Sequence, residues 1–300
     1  MKIFLWPTIE QFPTRGGVRE HLRQLHKQMQ NDDTVELVSN PYEADIYHVE
    51  SSYTLPSNFP KKPMVYVCHG GFVPSPMLPV VSNLGRADMI ISVADWIADK
   101  YFPQHAWKTV TIANGVDMTE LEQYHRPTNP LGLINYLVYG KEGMYYFDDV
   151  IKFAKAVAGL QIIVTAEPDA RFEKVSNIYF IGNQTFPTMM EILNQAGALL
   201  LTGSEVCPTM LLEAWTLKVP VIAWNADGNV EIMQPFSDDR VIGGALYDSP
   251  SAEVVNNVIN NRQRLGEEGH ERVEALYQWP DLWLKYKSVY ERVMESDDGI

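Results

Sequence analysis

Cysteine is scarce in this chain: Cys68 and Cys207 are the only two among 300 residues. Two thiols far apart in sequence form no disulfide framework and cannot by themselves build a metal site. They fit a reducing, cytoplasmic setting. Positive charge is also in short supply, with 24 Lys and Arg against 38 Asp and Glu and a formal net charge of −14. General affinity for nucleic acid or anionic lipid depends on a basic surface and is excluded as the main activity. Long apolar runs are missing too. The opening MKIFLWPTIE turns polar too early for a signal peptide, and no run approaches the roughly 18 apolar residues that cross a bilayer. The expected protein is soluble, or at most peripheral to a membrane, with no internal repeat and no low-complexity tract.

What is present is alternation. Short apolar runs rich in β-branched residues (KIFLW, TVELVS, ADIYHV, MVYVCH, DMIISVA, KTVTIANGV) are separated by helical patterns, and the series restarts with LINYLVYG, LQIIVTAE, NIYFIG, ALLLTG and VPVIAWN. Strands alternating with helices predict parallel sheets covered by helices. HRPTNP, residues 125–130, has two prolines and no apolar residue and reads as a linker. At about 150 residues per domain the length also predicts two domains. The expected division is 1–127, 128–277 and a closing helix, 278–300, whose Trp283, Tyr286, Val289, Tyr290 and Val293 recur at helical spacing as a docking stripe.

Two segments have the composition of binding sites. In TRGGVREHLRQLHK, Gly16 and Gly17 open a helix. Missing Cβ atoms there let an anion approach free N–H groups at the positive end of the helix dipole. No Lys-Ser/Thr pair follows, so this is not a Walker loop, and the glycines come too late after the first strand for a dinucleotide fingerprint. Val18, Leu22, Leu25 and Met29 form the apolar stripe. Arg23 and Lys27 read as a solvated face, whereas Arg15 and Arg19 stand beside the glycines as candidate phosphate or acceptor contacts.

The second segment is TGSEVCPTMLLEAW, residues 202–215: a strand ends, a loop carries Glu205, and a helix starting near Pro208 carries Glu213. In open α/β sheets such a carboxyl edge is where ligands bind. The N–H groups of Thr209, Met210 and Leu211 would face an anion, and the two carboxylates would take hydroxyls flanking it. Sugar, diphosphate and ribose present groups in that order.

With RGGVREHL, ADIYHVES, VYVCHGG, TIANGVD, SEVCPTMLLEAWTLKVPVIAWNADGNVEIM and QWPDLWLKYKSVYERVM in family order, the chain resembles the retaining GT-B glycosyltransferases of family 4, the group 1 glycosyl transferases. The resemblance runs nearly end to end. It implies an α/β architecture of two Rossmann-like domains with parallel sheets facing across a cleft, the first on the acceptor side and short for the family, the second binding a nucleotide-sugar. The last helix would cross back to the first domain. The implied reaction moves a sugar from a nucleotide-diphosphate sugar to a carbohydrate or other hydroxyl acceptor with retention, without metal or cofactor.

The family's paired glutamates map onto Glu205, for sugar hydroxyls, and Glu213, for ribose. Its glycine pair maps onto Gly16 and Gly17, and its histidine at the end of the fourth strand onto His69, near the transferred sugar. His48 is left as a structural residue. The family's arginine for the leaving diphosphate is replaced by Lys141 in VYGKEGMYYFDDVIKF, and its second cation by Tyr146. Lys is a point charge without the guanidinium fork, so Arg15 or Arg19 is a candidate for the missing charge. Two alternatives stay open: a nucleotide-sugar epimerase, and a nucleotide-sugar-binding module without turnover.

Overall fold

The computed structural model describes residues 1–8, 17–50, 53, 55–70, 77–125, 136–138, 147–157, 159–165, 167, 175–234 and 240–297. The chain folds as two compact units, Met1–Gly115 with Tyr277–Ile300, and Val116–Leu276. The expected boundary at 127 lies in a stretch outside the described residues, and the division between the units falls at Gly115–Val116 instead.

The first unit is built from β1 (Lys2–Trp6), α1 (Gly17–Gln30), β2 (Glu36–Leu37), β3 (Ile46–Glu50), β4 (Met64–Cys68), α2 (Met77–Arg86), β5 (Met89–Ser92), α3 (Asp95–Tyr101), a 3₁₀ turn at Pro103–Lys108 and β6 (Thr109–Thr111). The six strands pair in parallel in the order β2-β1-β3-β4-β5-β6. Every residue of β3, β4 and β5 is buried, as expected for central parallel strands covered on both faces. In α1 the apolar stripe is inward, with Leu22, Leu25 and Met29 buried. His21 and Gln24 are buried beside them, which the apolar spacing does not announce.

The second unit holds α4 (Met118–Glu122), β7 (Tyr136–Val138), α5 (Phe147–Ala156), β8 (Ile162–Val164), β9 (Ile178–Phe180), α6 (Phe186–Gln195), β10 (Leu199–Leu201), α7 (Thr209–Thr216), β11 (Val221–Trp224), α8 (Asp227–Met233), β12 (Gly244–Tyr247), α9 (Ala252–Asn260) and α10 (Arg262–Leu276). Two parallel ladders, β7-β8-β9 and β10-β11-β12, run side by side through β7 and β10. Val150, Phe153, Ile162, Leu200 and Ile222 centre their core. Trp215 of α7 is fully buried and donates its indole N–H to the Gly243 carbonyl at 2.9 Å. Gly269 of α10 makes room for it, because a Cβ there would stand 2.4 Å from the indole ring.

After Leu276 the chain returns to the first unit as α11 (Trp279–Asp297), which packs on α1 and β4. Trp279, Trp283, Tyr286, Val289, Tyr290 and Val293 are all buried. Asp32, just past α1, accepts from the Trp283 indole at 3.0 Å and the Lys287 ammonium at 2.9 Å. The buried aromatic rings fill this junction, and Asp32 ties the helix to the end of α1 through the two polar contacts.

Candidate active site

In the first unit, the C-terminal edge of the sheet gathers four titratable side chains. Alternation along β3 puts His48 and Glu50 on one face of the strand, and parallel pairing of β3 with β4 brings His69, the residue after Cys68, alongside. Gly70 follows with φ +77°, a left-handed turn that glycine adopts without strain. His21 enters from the second turn of α1.

Glu50 is wholly buried and is the hub. Its Oε1 accepts from His48 Nε2 at 2.7 Å, and its Oε2 lies 2.8 Å from His69 Nε2. The His69 contact is one of charge and proximity more than direction: at 2.8 Å the two atoms are in ion-pair contact, yet neither has an aligned hydrogen-bond partner among the described residues. Burial by itself would push the Glu50 carboxyl up, but the charge of His69 and the contacts from His48 and His69 outweigh it and hold the group well below the usual carboxylate range.

The hydrogen on His48 Nε2 leaves Nδ1 to accept from the Tyr290 hydroxyl at 2.7 Å. His21 is held differently. Its Nδ1 meets Asn114 Oδ1 at 3.1 Å and its Nε2 the Tyr286 hydroxyl at 3.3 Å. Burial first, then the neighbouring imidazoles of His69 and His48, pushes its titration down to about 3 against the pull of Glu50, so its ring is neutral at physiological pH.

His21, Glu50 and His69 are also the described residues that come nearest to a metal-ligand set, with one donor atom each inside 4.8 Å. The spacing argues against a closed metal centre. Two ligands of one tetrahedral zinc stand about 3.3 Å apart, whereas the Glu50–His69 contact is 2.8 Å and the other Glu50 oxygen is already taken by His48. The hydrogen bond of Glu50 with His48 and its close contact with His69 account for these distances without an ion.

In the second unit the Glu205 loop is clamped to the start of α8. The Gly228 N–H donates to the Glu205 carbonyl at 2.9 Å, and the Ser204 hydroxyl donates to the Asp227 carboxylate. The fully buried Asn229 amide donates to the carbonyls of Gly203 and Trp224, each at 3.0 Å. Gly228 is required by space: a Cβ there would stand 1.9 Å from the Val206 carbonyl oxygen. Asp227 adopts φ +49°, an uncommon conformation for a residue with a side chain. Glu205 is thus half-buried on a pinned loop, and Glu213, one turn into α7, is buried.

The expected N–H set at the start of α7 needs one correction. Leu211 N–H donates to the Pro208 carbonyl at 3.1 Å, which removes it from the groups offered to an anion. Thr209 and Met210 are the first two residues of the helix. Gly17 is the exposed first residue of α1, and Arg19 is half-buried on its first turn. Arg15, Gly16, Lys141 and Tyr146 lie outside the described residues. His69 belongs to the first unit, and Glu205, Thr209, Met210, Leu211 and Glu213 to the second.

Sequence reasoning passed over Glu50 and His21 and assigned His48 no part in a site. A signal exists for the first: in ADIYHVE, two polar residues alternate on one face of an otherwise apolar buried strand at its carboxyl end. For His21 it is the position one step off an apolar stripe. Neither signal says what the residue meets.

The whole chain shares its fold with solved glycosyltransferase structures. Sucrose-phosphate synthase from Thermosynechococcus elongatus is 15% identical with a TM-score of 0.73, over 98% of this chain and 99% of that one. HepE from Anabaena, in complex with UDP and glucose, is 11% identical with a TM-score of 0.67, over 97% and 99%. A glycosyltransferase from Rickettsia africae is 13% identical with a TM-score of 0.65, over 98% of each chain. The fold is therefore that of the GT-B glycosyltransferases. Residues 170–276, which include Glu205 and Glu213, match the family described as glycosyl transferases group 1, the family expected from the sequence, and the match supports sugar transfer as the class of activity. No curated protein matches the sequence. Among the described residues no helix is long and apolar enough to cross a membrane.

Proposed function

We propose that this protein is a retaining, metal-independent glycosyltransferase that moves a sugar from a nucleotide-diphosphate sugar to an acceptor hydroxyl. The observation that carries the reading is the pinned β10–loop–α7 segment, which holds Glu205 and Glu213 inside the stretch that matches the group 1 family. In this reading Glu205 accepts hydroxyls of the transferred sugar, Glu213 accepts the ribose, and His69 is the sugar-side residue of the first unit. The HepE complex with UDP and glucose supports a UDP donor. Two separate, buried thiols support a cytoplasmic setting.

Front-face transfer with retention needs no attacking carboxylate. The departing diphosphate takes the acceptor proton, and the protein supplies fixed positive potential where negative charge develops. The N–H groups of Thr209 and Met210 and the ammonium of Lys141 are assigned that task, with Arg15 or Arg19 as the second cation in place of Tyr146. Gly16 and Gly17 give the diphosphate or the acceptor close access to backbone. Holding donor and acceptor in line supplies the rest of the rate.

Incubation with labelled UDP-, GDP- and ADP-sugars, with and without an acceptor pool, tests the reading. Nucleotide release that depends on acceptor, persists in EDTA and leaves the anomeric configuration unchanged by NMR is expected. Binding without release across all donors would identify a nucleotide-sugar-binding module instead, and an inverted product would remove the mechanism. Glu205→Gln and Arg15→Ala test the assigned residues in the same assay.

A further inference from the structure

A charge buried as deeply as Glu50 is costly unless its partners repay the lost hydration. Three imidazoles stand within 4 Å of its carboxylate, at 2.7 Å for His48, 2.8 Å for His69 and 3.7 Å for His21, and His21 is neutral. The contacts of Glu50 run in a line. The Tyr290 hydroxyl donates to His48 Nδ1 at 2.7 Å, His48 Nε2 donates to Glu50 Oε1 at 2.7 Å, and Glu50 Oε2 meets His69 Nε2 at 2.8 Å. Tyr290, His48 and Glu50 are each fully buried. A network serving only to hold the fold together could end at Glu50. This one continues to the residue at the strand's carboxyl end, beside the left-handed turn at Gly70, the edge at which open α/β sheets bind ligands.

We propose that Glu50 is a positioning residue for His69, and that Tyr290 on the last helix acts on it through His48. The proposal rests on the reading of His69 as a sugar-side residue. The last helix then has a use beyond packing: the Glu50 carboxylate, which only accepts, places the His48 hydrogen on Nε2, the Tyr290 hydroxyl donates to Nδ1 and holds the His48 ring in place, and the carboxylate so aimed sets the orientation of the His69 ring. No atom is transferred along the line.

The test compares wild type, Glu50→Gln, Tyr290→Phe and the double variant. Imidazole ¹⁵N NMR on the wild type is expected to show His48 with hydrogen on Nε2 and a bare Nδ1. Tyr290→Phe removes one hydroxyl and keeps the ring, so circular dichroism should stay close to wild type and melting should fall only modestly, for the buried His48 Nδ1 left without its donor, while the His69 signals move. In turnover, Glu50→Gln is expected to lower kcat about 100-fold through a misplaced His69 ring, with donor KM little changed. Tyr290→Phe lowers it about 3-fold, and the double variant is no slower than Glu50→Gln alone, as for groups acting in series. His69 signals unmoved in a folded Tyr290→Phe protein, or losses that add, would overturn the relay. Failure of the transferase reading shows separately, as wild-type protein that releases nucleotide from no donor, and the NMR comparison still decides the relay in that case.

Discussion

Gly228 and Val206 touch at the limit of what a backbone allows: a Cβ on Gly228 would stand 1.9 Å from the Val206 carbonyl oxygen and 2.7 Å from that of Glu205. The N-terminus of α8 is thereby seated directly under the loop that carries Glu205. Gly228→Ala is expected to push the loop away, lowering unfolding free energy by about 3 kcal/mol and, under the proposed function, weakening nucleotide binding. Urea unfolding and a UDP titration on the same sample check both effects, and unchanged UDP affinity would mean that the loop's position does not matter to the ligand.

Trp215 anchors the helix that carries Glu213. Its indole is wholly buried, hydrogen-bonded to Gly243, and fitted against the bare backbone of Gly269. Trp215→Ala should cost about 4 kcal/mol, as a large core ring lost with its cavity left behind. Gly269→Ala should destabilise by about 2 kcal/mol from the opposite direction, by overpacking. Calorimetric melting of the two variants measures both.

Lys218, two residues past the end of α7, adopts the left-handed conformation, φ +57°. Its N–H donates to the Trp215 carbonyl at 2.9 Å, and that of Val219 to Ala214 at 2.8 Å, the paired bonds of a Schellman cap whose left-handed position favours glycine. Its half-exposed ion pair with Glu267 contributes well under about 1 kcal/mol. Lys218→Gly is therefore expected to stabilise the protein by about 0.5 kcal/mol, read as a higher urea midpoint at unchanged slope.

The pH dependence of stability follows from His21. In the folded chain it titrates at about 3, and unfolded it titrates near about 6.5. The folded value is the lower one, so the unfolded chain binds the additional proton. Stability is complete above about pH 6.5 and declines as the pH falls from there toward 3, by about 2 kcal/mol at pH 5. Glu50, held below its usual range, adds a loss of the same sign at more acidic pH, below about 4.5. Urea unfolding at pH 7.5 and pH 5 checks the first loss, and His21→Asn should flatten that interval.

Much of the fold is legible in the one-dimensional pattern because burial on both faces of a parallel strand leaves a continuous apolar run. MVYVC and DMIIS announce β4 and β5 in that way, and the spacing of Trp283, Tyr286, Tyr290 and Val293 announces a buried helix face. The Glu205–Glu213 pair is legible for a local reason: both residues belong to one strand–loop–helix step, where distance along the chain approximates distance in space. The Schellman cap at Lys218 has no such signal, since lysine is an ordinary helix residue, and the Gly266 backbone that packs against its carbonyl comes from another helix.

His21, Glu50, His69, Asn114, Tyr286 and Tyr290 come from five separate stretches of chain, and nothing in their local patterns says that they meet. The amino-acid order by itself determined the alternating α/β layers, the apolar faces and the acidic loop–helix step, because each depends on neighbours a few residues away. Only the tertiary structure decided that Tyr290 reaches His48 across 242 positions of sequence. That contact, and with it the burial of Glu50 as an ionised group, exists because α11 closes over the first unit and removes water from around them.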